Sequence, residues 1–331
     1  MSGCLPFRLA TFNVETLDDR ADRLPRLEDR IAVIRPRLVR LRADILCLQE
    51  VDGQSDGSGQ RKLMALDALL QGTPYADFHR VSTFSQSRGG ARDKHNLVIL
   101  SRFPVLEFGQ IRHDLVSSPL YRQCTAEPQQ PEGREIEWDR PFLHATLDVG
   151  RGRVLHVVNV HLRAPRAAYV EGQKADARKW LSAQGWAEGF FLAAVKRAGQ
   201  ALEVRLFVDQ LLDENPESMI VVTGDFNAED HETPVRTIRG DEEDMGSGHL
   251  APRILVALER SLSDSQRYSV IHGGHPRMLD HILASQALLS WYRTVEVHNE
   301  GLGDELSSPA VIEGSPDSYH APVVAAFELD E

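Results

Sequence analysis

Short apolar segments with β-branched or alternating hydrophobic residues recur along the chain and predict β-strands. The segments are residues 7–14, 43–51, 96–101, 141–149, 153–162, 218–226, 278–285 and 321–329. Long polar segments rich in Gly or Pro separate most of them, which is typical of loops on one scaffold. We find no repeat of fixed period that would indicate a solenoid or a propeller.

Three segments have apolar residues at helical spacing and predict helices over 24–42, 62–70 and 186–212, with Pro36 interrupting the first. In the third, an apolar residue recurs at every fourth position, and we expect this stripe to pack on a sheet. The stripe consists of Trp186, Phe190, Ala194, Ala198, Leu202 and Leu206. Because helices separate only some of the strands, the pattern predicts mixed α+β layers rather than regular βαβ winding.

The composition is that of an ordinary globular protein, with 331 residues of which 42% are hydrophobic and 26% charged. No shift in composition divides the chain, so we expect one domain over residues 1–331. No apolar run approaches the roughly 20 residues of a membrane span, and the first residues lack the pattern of a signal peptide. We therefore expect a cytoplasmic protein. Three widely spaced cysteines, Cys4, Cys47 and Cys124, indicate neither a disulfide framework nor a thiolate metal site.

The formal net charge is −12. This charge disfavours tight binding to duplex nucleic acid unless a local basic patch outweighs the mean. It does not exclude nucleic acid as a partner.

Polar residues of a few chemically useful types stand at the ends of several predicted strands. They are Asn13, Glu50, Asn159, His161, Asp225, Asn227, Asp280 and His320. If the strands share one sandwich, their ends meet at one edge and gather carboxylates, carboxamides and imidazoles. Hard oxygen ligands suit Mg²⁺ or Mn²⁺ better than Zn²⁺.

Each residue has a role in such a site and also a plain structural alternative. Glu50 and Asn13 fit a metal site, although a glutamate in the position of Glu50, taken alone, is more often a solvated residue. Asp225 with Asn227 fits the activation of a water molecule, but Asp225 alone fits a turn or a helix cap. Histidines suit the stabilisation of charge on a phosphoryl group, whereas His161 in an apolar strand also fits a structural role.

Read in order, these segments resemble the endonuclease/exonuclease/phosphatase superfamily, which has the DNase-I-like fold. The resemblance runs through TFNVET, LQEV, NLVILSRFPV, NVHL, GDFN and MLDHIL to SYHAPVVAAF. It implies a four-layer α/β/β/α sandwich and a divalent-metal-dependent phosphoesterase. Compared with the family pattern, the chain has extra sequence near 111–140 and 163–217, and we expect these inserts to affect substrate choice.

The resemblance implies a role for each motif residue. Glu50 is then the main metal ligand, with Asn13 beside the metal and its waters. Asp225 orients or deprotonates the attacking water, and Asn227 holds that water or the phosphate. The remaining roles concern the phosphate itself. Asp280 orients His320, which faces the scissile phosphate. His161 is the second histidine, and Asn159 supports phosphate binding.

One position departs from the family pattern. The family usually has Ser-Asp-His before its last strand, and this chain has Ser318-Tyr319-His320. A tyrosine removes a charge that is usually near the metal. Asp317 would point to the same face as Tyr319, but about 6–7 Å away along an extended chain.

Five basic residues follow the NVHL motif and could meet an anionic substrate, although a solvated loop and helix start explains them equally well. They are Arg163, Arg166, Lys174, Arg178 and Lys179.

The sequence thus predicts a Mg²⁺- or Mn²⁺-dependent hydrolase of phosphate esters, with a phosphodiester favoured by the resemblance. A nuclease and a small-molecule or lipid phosphodiesterase both remain open. The alternative is a binding or scaffold member of the same fold with weakened catalysis, for which Tyr319 is the only support.

Overall fold

Two six-stranded mixed β-sheets form the centre of the computed structural model, which describes residues 5–20, 24–57, 59–177, 179–306 and 315–329. In chain order, their strands are β1 (Leu5–Leu17), β2 (Ile45–Val51), β3 (His79–Ser82), β4 (Asn96–Ser101), β5 (Val105–Ile111), β6 (Phe142–Asp148), β7 (Val154–His161), β8 (Met219–Asp225), β9 (Val256–Ala257), β10 (Asp280–Ala284), β11 (Tyr292–Val297) and β12 (Val323–Leu329). The first sheet has the order β11-β12-β1-β2-β4-β3, and the second has the order β9-β10-β8-β7-β6-β5.

Each sheet has one parallel pair at its centre, β1 with β2 and β7 with β8, and its other pairs are antiparallel. A parallel pair needs a crossover connection, usually through a helix. The helices are α1 (Leu27–Leu41), α2 (Met64–Leu70), α3 (Ala183–Glu214), α4 (Thr233–Arg239), α5 (Glu242–Met245) and α6 (Gln286–Leu289). Helices α1 and α3 lie within the two crossovers.

Short hairpins and 3₁₀ turns complete the loops. The hairpins pair Gln54–Ser55 with Arg61–Lys62, Leu120–Tyr121 with Arg134–Glu135, and Val270–His272 with His275–Arg277. The 3₁₀ turns are Pro74–Asp77, Gly248–Arg253 and Leu258–Ser261.

The apolar residues pack in three interfaces, one between the two sheets and one on the outer face of each sheet. This arrangement confirms the expected α+β sandwich. Phe7, Ile45 and Val157 belong to the core between the sheets. Leu38 of α1 and Leu66 of α2 pack on the outer face of the first sheet. On the second sheet, α3 and α4 supply the outer layer. Among the described residues, no helix combines the length and apolar character that crossing a bilayer requires.

All eight predicted strands coincide with observed ones, whereas β3, β5, β9 and β11 were not predicted. Strand β5 lies at the edge of the second sheet, and most of its side chains are exposed or half-buried. It therefore lacks the apolar run by which a buried strand is recognised. Pro36 was expected to interrupt the first helix, but α1 continues through it. Its ring lies on the exposed side of the helix.

The prediction for the apolar stripe on α3 was wrong. Trp186, Phe190 and Leu202 are 47%, 45% and 41% exposed, and the buried face instead contains Val204 and Val208. Because an α-helix has about 3.6 residues per turn, a spacing of four advances by about 40° at each step. The six-residue stripe therefore winds around the helix and cannot remain on one face.

Candidate active site

The ends of strands from both sheets converge on one edge of the sandwich. In the second sheet, His161 is in register with Asp225, and Asp225 is in register with Asp280. Asn13 of β1 and Glu50 of β2 reach the same place from the first sheet, because Asn13 donates from Nδ2 to Asp225 Oδ2 at 2.9 Å and lies 3.4 Å from Glu50 Oε1. The two sheets are thus joined by one polar cluster.

The backbone at the end of β8 is specialised. Gly224 has φ +140°, and a Cβ there would lie 1.9 Å from the Val160 carbonyl oxygen of the neighbouring strand. Only glycine allows this close approach. Asp225 Oδ1 then accepts from the Asn227 backbone N–H at 2.8 Å, and the Asn227 amide donates to Asp225 Oδ2 at 3.0 Å. The GDFN segment is therefore a turn that also fixes a carboxylate.

Asp225 is almost completely buried at the centre of the cluster. Its Oδ2 also lies 3.4 Å from His161 Nε2 and 4.0 Å from His320 Nε2. Burial raises the pKa of Asp225 to about 7, although His320 opposes the rise. A carboxylate with a pKa near neutrality is well suited to accept a proton at physiological pH.

Asp280 and His320 form a second buried pair. Asp280 Oδ2 lies 2.8 Å from His320 Nδ1, which directs Nε2 of the ring toward Asp225. Burial alone would lower the pKa of His320, but the charges of Asp280 and Asp225 raise it well above its ordinary value. His320 is therefore protonated at neutral pH and provides a positive charge beside Asp225.

His161 has the opposite protonation state. Burial, and then the Arg140 guanidinium, lower its pKa well below the ordinary value, so the ring is neutral. Arg140 Nη1 contacts His161 Nδ1. Since a guanidinium can only donate, Nδ1 must accept and the ring proton lies on Nε2. Nε2 thus offers a hydrogen-bond donor toward Glu50 and Asp225 rather than a lone pair for a metal.

Glu50 lies at the side of the cleft with an unusual backbone φ of +61°. Its Oε2 accepts from the backbone N–H and the hydroxyl of Thr16, both at 3.1 Å, and lies 3.4 Å from His95 Nδ1. Burial would raise the pKa of Glu50, but His95 and then His161 hold it well below the ordinary value. Glu50 is therefore a permanent carboxylate at neutral pH.

This donor set fits a hard divalent cation in part. Glu50, His95 and His161 have nitrogen or oxygen atoms within 4.8 Å of one another, and of these the anionic Glu50 carboxylate suits Mg²⁺ or Mn²⁺, whereas His161 turns a proton toward the group. Asn13 directs its Nδ2 to the carboxylates, while its Oδ1 accepts from the Glu15 backbone N–H at 2.9 Å. In this arrangement Asn13 orients Glu50 and Asp225, and its place beside the metal stays a prediction.

Asn159 lies apart from the cleft. It is fully buried between the sheets, where its Nδ2 donates to the carbonyls of Leu48 and Val98 at 3.1 and 2.9 Å. Its Oδ1 accepts from Gln49 at 2.7 Å. Because its amide is occupied by protein partners, its position does not support the role in phosphate binding that the resemblance implied. Asn159 joins the two sheets.

Three side chains at the site were missed in the sequence analysis: Glu15, His95 and Arg140. Glu15 Oε2 accepts from the Tyr319 backbone N–H at 3.1 Å and lines the same cleft as Glu50, Asp225 and His320. The signal for Glu15 was its place in TFNVET, two residues after Asn13. His95 and Arg140 lie just before strands and have no comparable pattern.

The residues around Tyr319 show which carboxylate lies near the position where the family usually has an aspartate. Asp317 is turned away toward α1, where it forms an ion pair with Arg37. The Tyr319 ring lies beside Gly303. Glu15, not Asp317, is therefore the carboxylate next to Tyr319.

Of the four basic residues from the set after NVHL that the structure describes, only Arg166 lines the cleft, which has a volume of about 380 Å³. Arg163 is paired with Asp139. Lys174 lies 4.9 Å from the centre of the Trp180 ring. Arg178 lies outside the described residues, and Lys179 is exposed beyond the cleft lining.

A sequence profile of the Endonuclease/Exonuclease/phosphatase family matches residues 10–302, and the chain belongs to this family. Membership indicates an enzyme of the phosphoesterase or nuclease class. No curated protein sequence gives a significant match to the chain.

Several solved structures share the fold of this chain. The chain is 18% identical to a 3′ phosphatase from Neisseria, solved with a product DNA hairpin, over 98% of this chain and 100% of that one, with a TM-score of 0.54. It is 15% identical to truncated TDP2 from Caenorhabditis elegans, over 98% of both chains, also with a TM-score of 0.54. A family protein from Bacteroides thetaiotaomicron has 14% identity over 100% and 97%, with a TM-score of 0.57. These identities show a shared fold.

Proposed function

We propose that the protein is a divalent-metal-dependent phosphodiesterase that cleaves its substrate by in-line attack of a water molecule. The convergence of Glu50, Asp225, His161 and His320 around one cleft carries this proposal. They include one permanent carboxylate, one carboxylate that can accept a proton, one neutral imidazole and one imidazolium. Hydrolysis of a phosphate ester needs these charges and donors.

The protonation states of Asp225, His161 and His320 determine which group accepts a proton and which groups donate one. Asp225 accepts a proton from water as the water oxygen attacks phosphorus, and Asn227 holds the Asp225 carboxylate in place. The P–O bond to the leaving group breaks, and His320 donates its proton to the leaving oxygen. His161 donates from Nε2 to a phosphoryl oxygen as negative charge develops there.

Glu50 would hold the metal, which supplies Lewis-acid stabilisation of the phosphoryl oxygens when bound. Thr16 and Asn13 position Glu50 for this role. We expect Mg²⁺ or Mn²⁺, because the anionic ligand is an oxygen and His161 presents a proton rather than a lone pair. His95 is the nearest nitrogen that could add to the metal's ligands.

Hydrolysis of bis(p-nitrophenyl) phosphate tests the proposal, with Mg²⁺, Mn²⁺ or Zn²⁺ added in turn and with a chelator. We expect Mg²⁺- or Mn²⁺-dependent turnover that Asp225→Asn lowers by roughly 10²–10³-fold. The control is Asp264→Asn, since Asp264 is an exposed aspartate paired with Arg267.

The same assay separates catalysis from a scaffold role. A scaffold protein would show no metal-dependent turnover in the wild type or in Tyr319→Asp. Turnover in the wild type that Asp225→Asn abolishes would instead exclude the scaffold role. Turnover that survives both Asp225→Asn and His320→Gln would overturn the proposed mechanism.

A further inference from the structure

A second and larger groove begins where the candidate active site ends. It has a volume of about 1020 Å³ and lies between the loop around residues 84–95 and the segment 110–141. Arg140 lines both this groove and the catalytic cleft, and its guanidinium contacts His161. Arg140 therefore lies at the boundary between the groove and the cleft. We call it the arginine groove after six cationic side chains in its lining: Arg61, Arg88, Arg92, Lys94, Arg112 and Arg140.

Three of the four carboxylates that line the arginine groove are already engaged. Asp93 lies 2.8 Å from Arg61, and Glu137 is paired with Arg112. Asp139 is paired with Lys196 at 2.8 Å and with Arg163. Glu135, the fourth carboxylate of the lining, is exposed.

Four cations of the groove remain without a carboxylate partner. Within the described parts of the chain, Arg88, Arg92, Lys94 and Arg140 form no ion pair. In a protein with a formal net charge of −12, this local excess of positive charge marks the arginine groove as a place for an anion.

Arg92, Arg112 and Arg140 line the groove together, and we refer to these three arginines as the cluster. Burial lowers the pKa of Arg92, and the positive charges of Arg112 and Arg140 lower it further. An anion placed among these groups would offset their repulsion. The planar donors of arginine match the oxygens of a phosphate group.

The loop that carries Arg92 is held in place. Asn96 accepts from the Arg92 backbone N–H at 2.8 Å and donates to its carbonyl at 2.9 Å. The Arg92 Nη2 atom reaches the Asp139 carbonyl at 3.4 Å. Asp52 accepts from the backbone N–H of His95, three residues further along the loop. These contacts hold Arg92 in place before any ligand arrives, which reduces the cost of binding.

We infer that the cluster of Arg92, Arg112 and Arg140 is a subsite for a second phosphate group of the substrate, next to the phosphate that is cleaved. This inference rests on the proposed function, since it places the cleaved phosphate at His161 and Asp225. The substrate class is then a phosphodiester with a further phosphate, whether in a nucleic acid strand or in a small polyphosphate ester.

Binding of two nucleotides that differ in one phosphate tests the inference. Calorimetry in Mn²⁺ buffer compares thymidine 3′,5′-bisphosphate with thymidine 5′-phosphate, and neither ligand has to be hydrolysed. We expect the bisphosphate to bind the wild type about tenfold more tightly, which corresponds to one charged hydrogen-bonded contact. Arg92→Gln should abolish this preference.

Two further variants keep the test decisive. Arg112→Gln should also abolish the preference, and it replaces Arg92→Gln if that variant does not fold. Arg236→Gln is the control, because Arg236 is an exposed arginine on α4 paired with Asp241. Equal affinity for both ligands in the wild type, or a preference that survives Arg92→Gln and Arg112→Gln, would overturn the inference.

Hydrolysis assays distinguish a failure of the subsite from a failure of the proposed function. The substrates are thymidine 5′-(p-nitrophenyl phosphate) and its 3′-phosphorylated form. Tighter binding of the bisphosphate without turnover of either substrate would preserve the subsite and reject the proposed reaction. Turnover of both at equal kcat/KM, together with equal binding, would preserve the reaction and reject the subsite.

Competition identifies where the second phosphate comes from. Dithymidylate with a 5′-phosphate represents a strand, and inositol 1,4-bisphosphate represents a small polyphosphate ester. A competitor that displaces thymidine 3′,5′-bisphosphate about tenfold more effectively from the wild type than from Arg92→Gln supports the subsite and assigns its source.

Discussion

At the scale of single residues, the site depends on two histidines with opposite protonation states. Asp280 and Asp225 keep His320 protonated, while Arg140 keeps the ring proton of His161 on Nε2. Both rings are almost completely buried, so their neighbours rather than solvent determine which atoms carry protons. The carboxylates beside the His320 ring therefore determine that this ring can act as the proposed proton donor.

Replacing Asp280 by Asn tests whether the charge of Asp280 keeps His320 protonated. Loss of its charge should lower the pKa of His320, because burial is then opposed only by Asp225 and weaker contributions. We expect a loss in kcat of roughly 10²-fold near pH 8. The activity needs protonated His320, so the decline with rising pH should begin at a lower pH in the variant.

The pH dependence of kcat and an NMR titration of the His320 ring measure both effects. Asp264→Asn is again the matched control. An unchanged imidazole titration together with reduced kcat would show that Asp280 acts by another route.

At the scale of elements, the sheets are held in register by buried polar contacts as well as by apolar packing. Asn159 of β7 crosses to the first sheet and donates to backbone carbonyls of β2 and β4. Strand-to-strand registry brings His161 and Asp225 to one edge, but the contact between sheets determines where Glu50 and Asn13 meet them. Asn159 therefore contributes to the site through the position of the strands.

Asn159→Leu should lower the free energy of unfolding by about 2–4 kcal/mol, because it leaves buried carbonyls without donors. Chemical denaturation measures this loss. We expect KM for bis(p-nitrophenyl) phosphate to change less than threefold in the folded variant. A KM increase above tenfold with unchanged stability would instead support direct phosphate binding by Asn159.

Asn299→Leu is a matched control for this variant. Asn299 also donates to two backbone carbonyls, those of Gln266 and Tyr268, but it is only half-buried. Water can replace its hydrogen bonds, so a smaller loss of stability is expected.

At the scale of the whole molecule, buried histidines outside the site make folding depend on pH. His144 of β6 is buried against Phe207 of α3, and its ring stacks on His156 of β7. Burial, and then the neighbouring His156, lower the pKa of His144 to about 3. In the folded protein His144 is therefore neutral at pH values where the unfolded chain would protonate it.

The sign of the effect follows from proton binding. Between pH 6.5 and pH 3 the unfolded state binds more protons at this position, so stability falls as the pH falls. Urea denaturation should give a free energy of unfolding about 2 kcal/mol lower at pH 5 than at pH 7 from His144 alone.

His144→Leu should remove that part of the pH dependence, whereas His275→Leu, at an exposed position, should leave it in place. The same slope in the wild type and in His144→Leu would assign the pH dependence to other groups.

Local pattern was sufficient for much of the fold. Strands such as β2 and β8 are almost entirely buried, so their apolar runs were readable without any partner. Edge strand β5 and the orientation of α3 were not readable, because they depend on which surface another element covers. Similarly, GDFN and LQEV indicated Asp225 and Glu50, whereas Arg140 acquires its role only through contact with His161.

The sequence alone determined the order of the strands and helices and the chemical types available at their ends, because periodicity and motif are properties of neighbouring residues. Only the tertiary structure decided which of those groups meet. It assigned Asn159 to the space between the sheets, turned Asp317 toward Arg37, and placed Glu15 beside Tyr319. These outcomes depend on sheet packing and on contacts between residues distant in the chain, which no local pattern records.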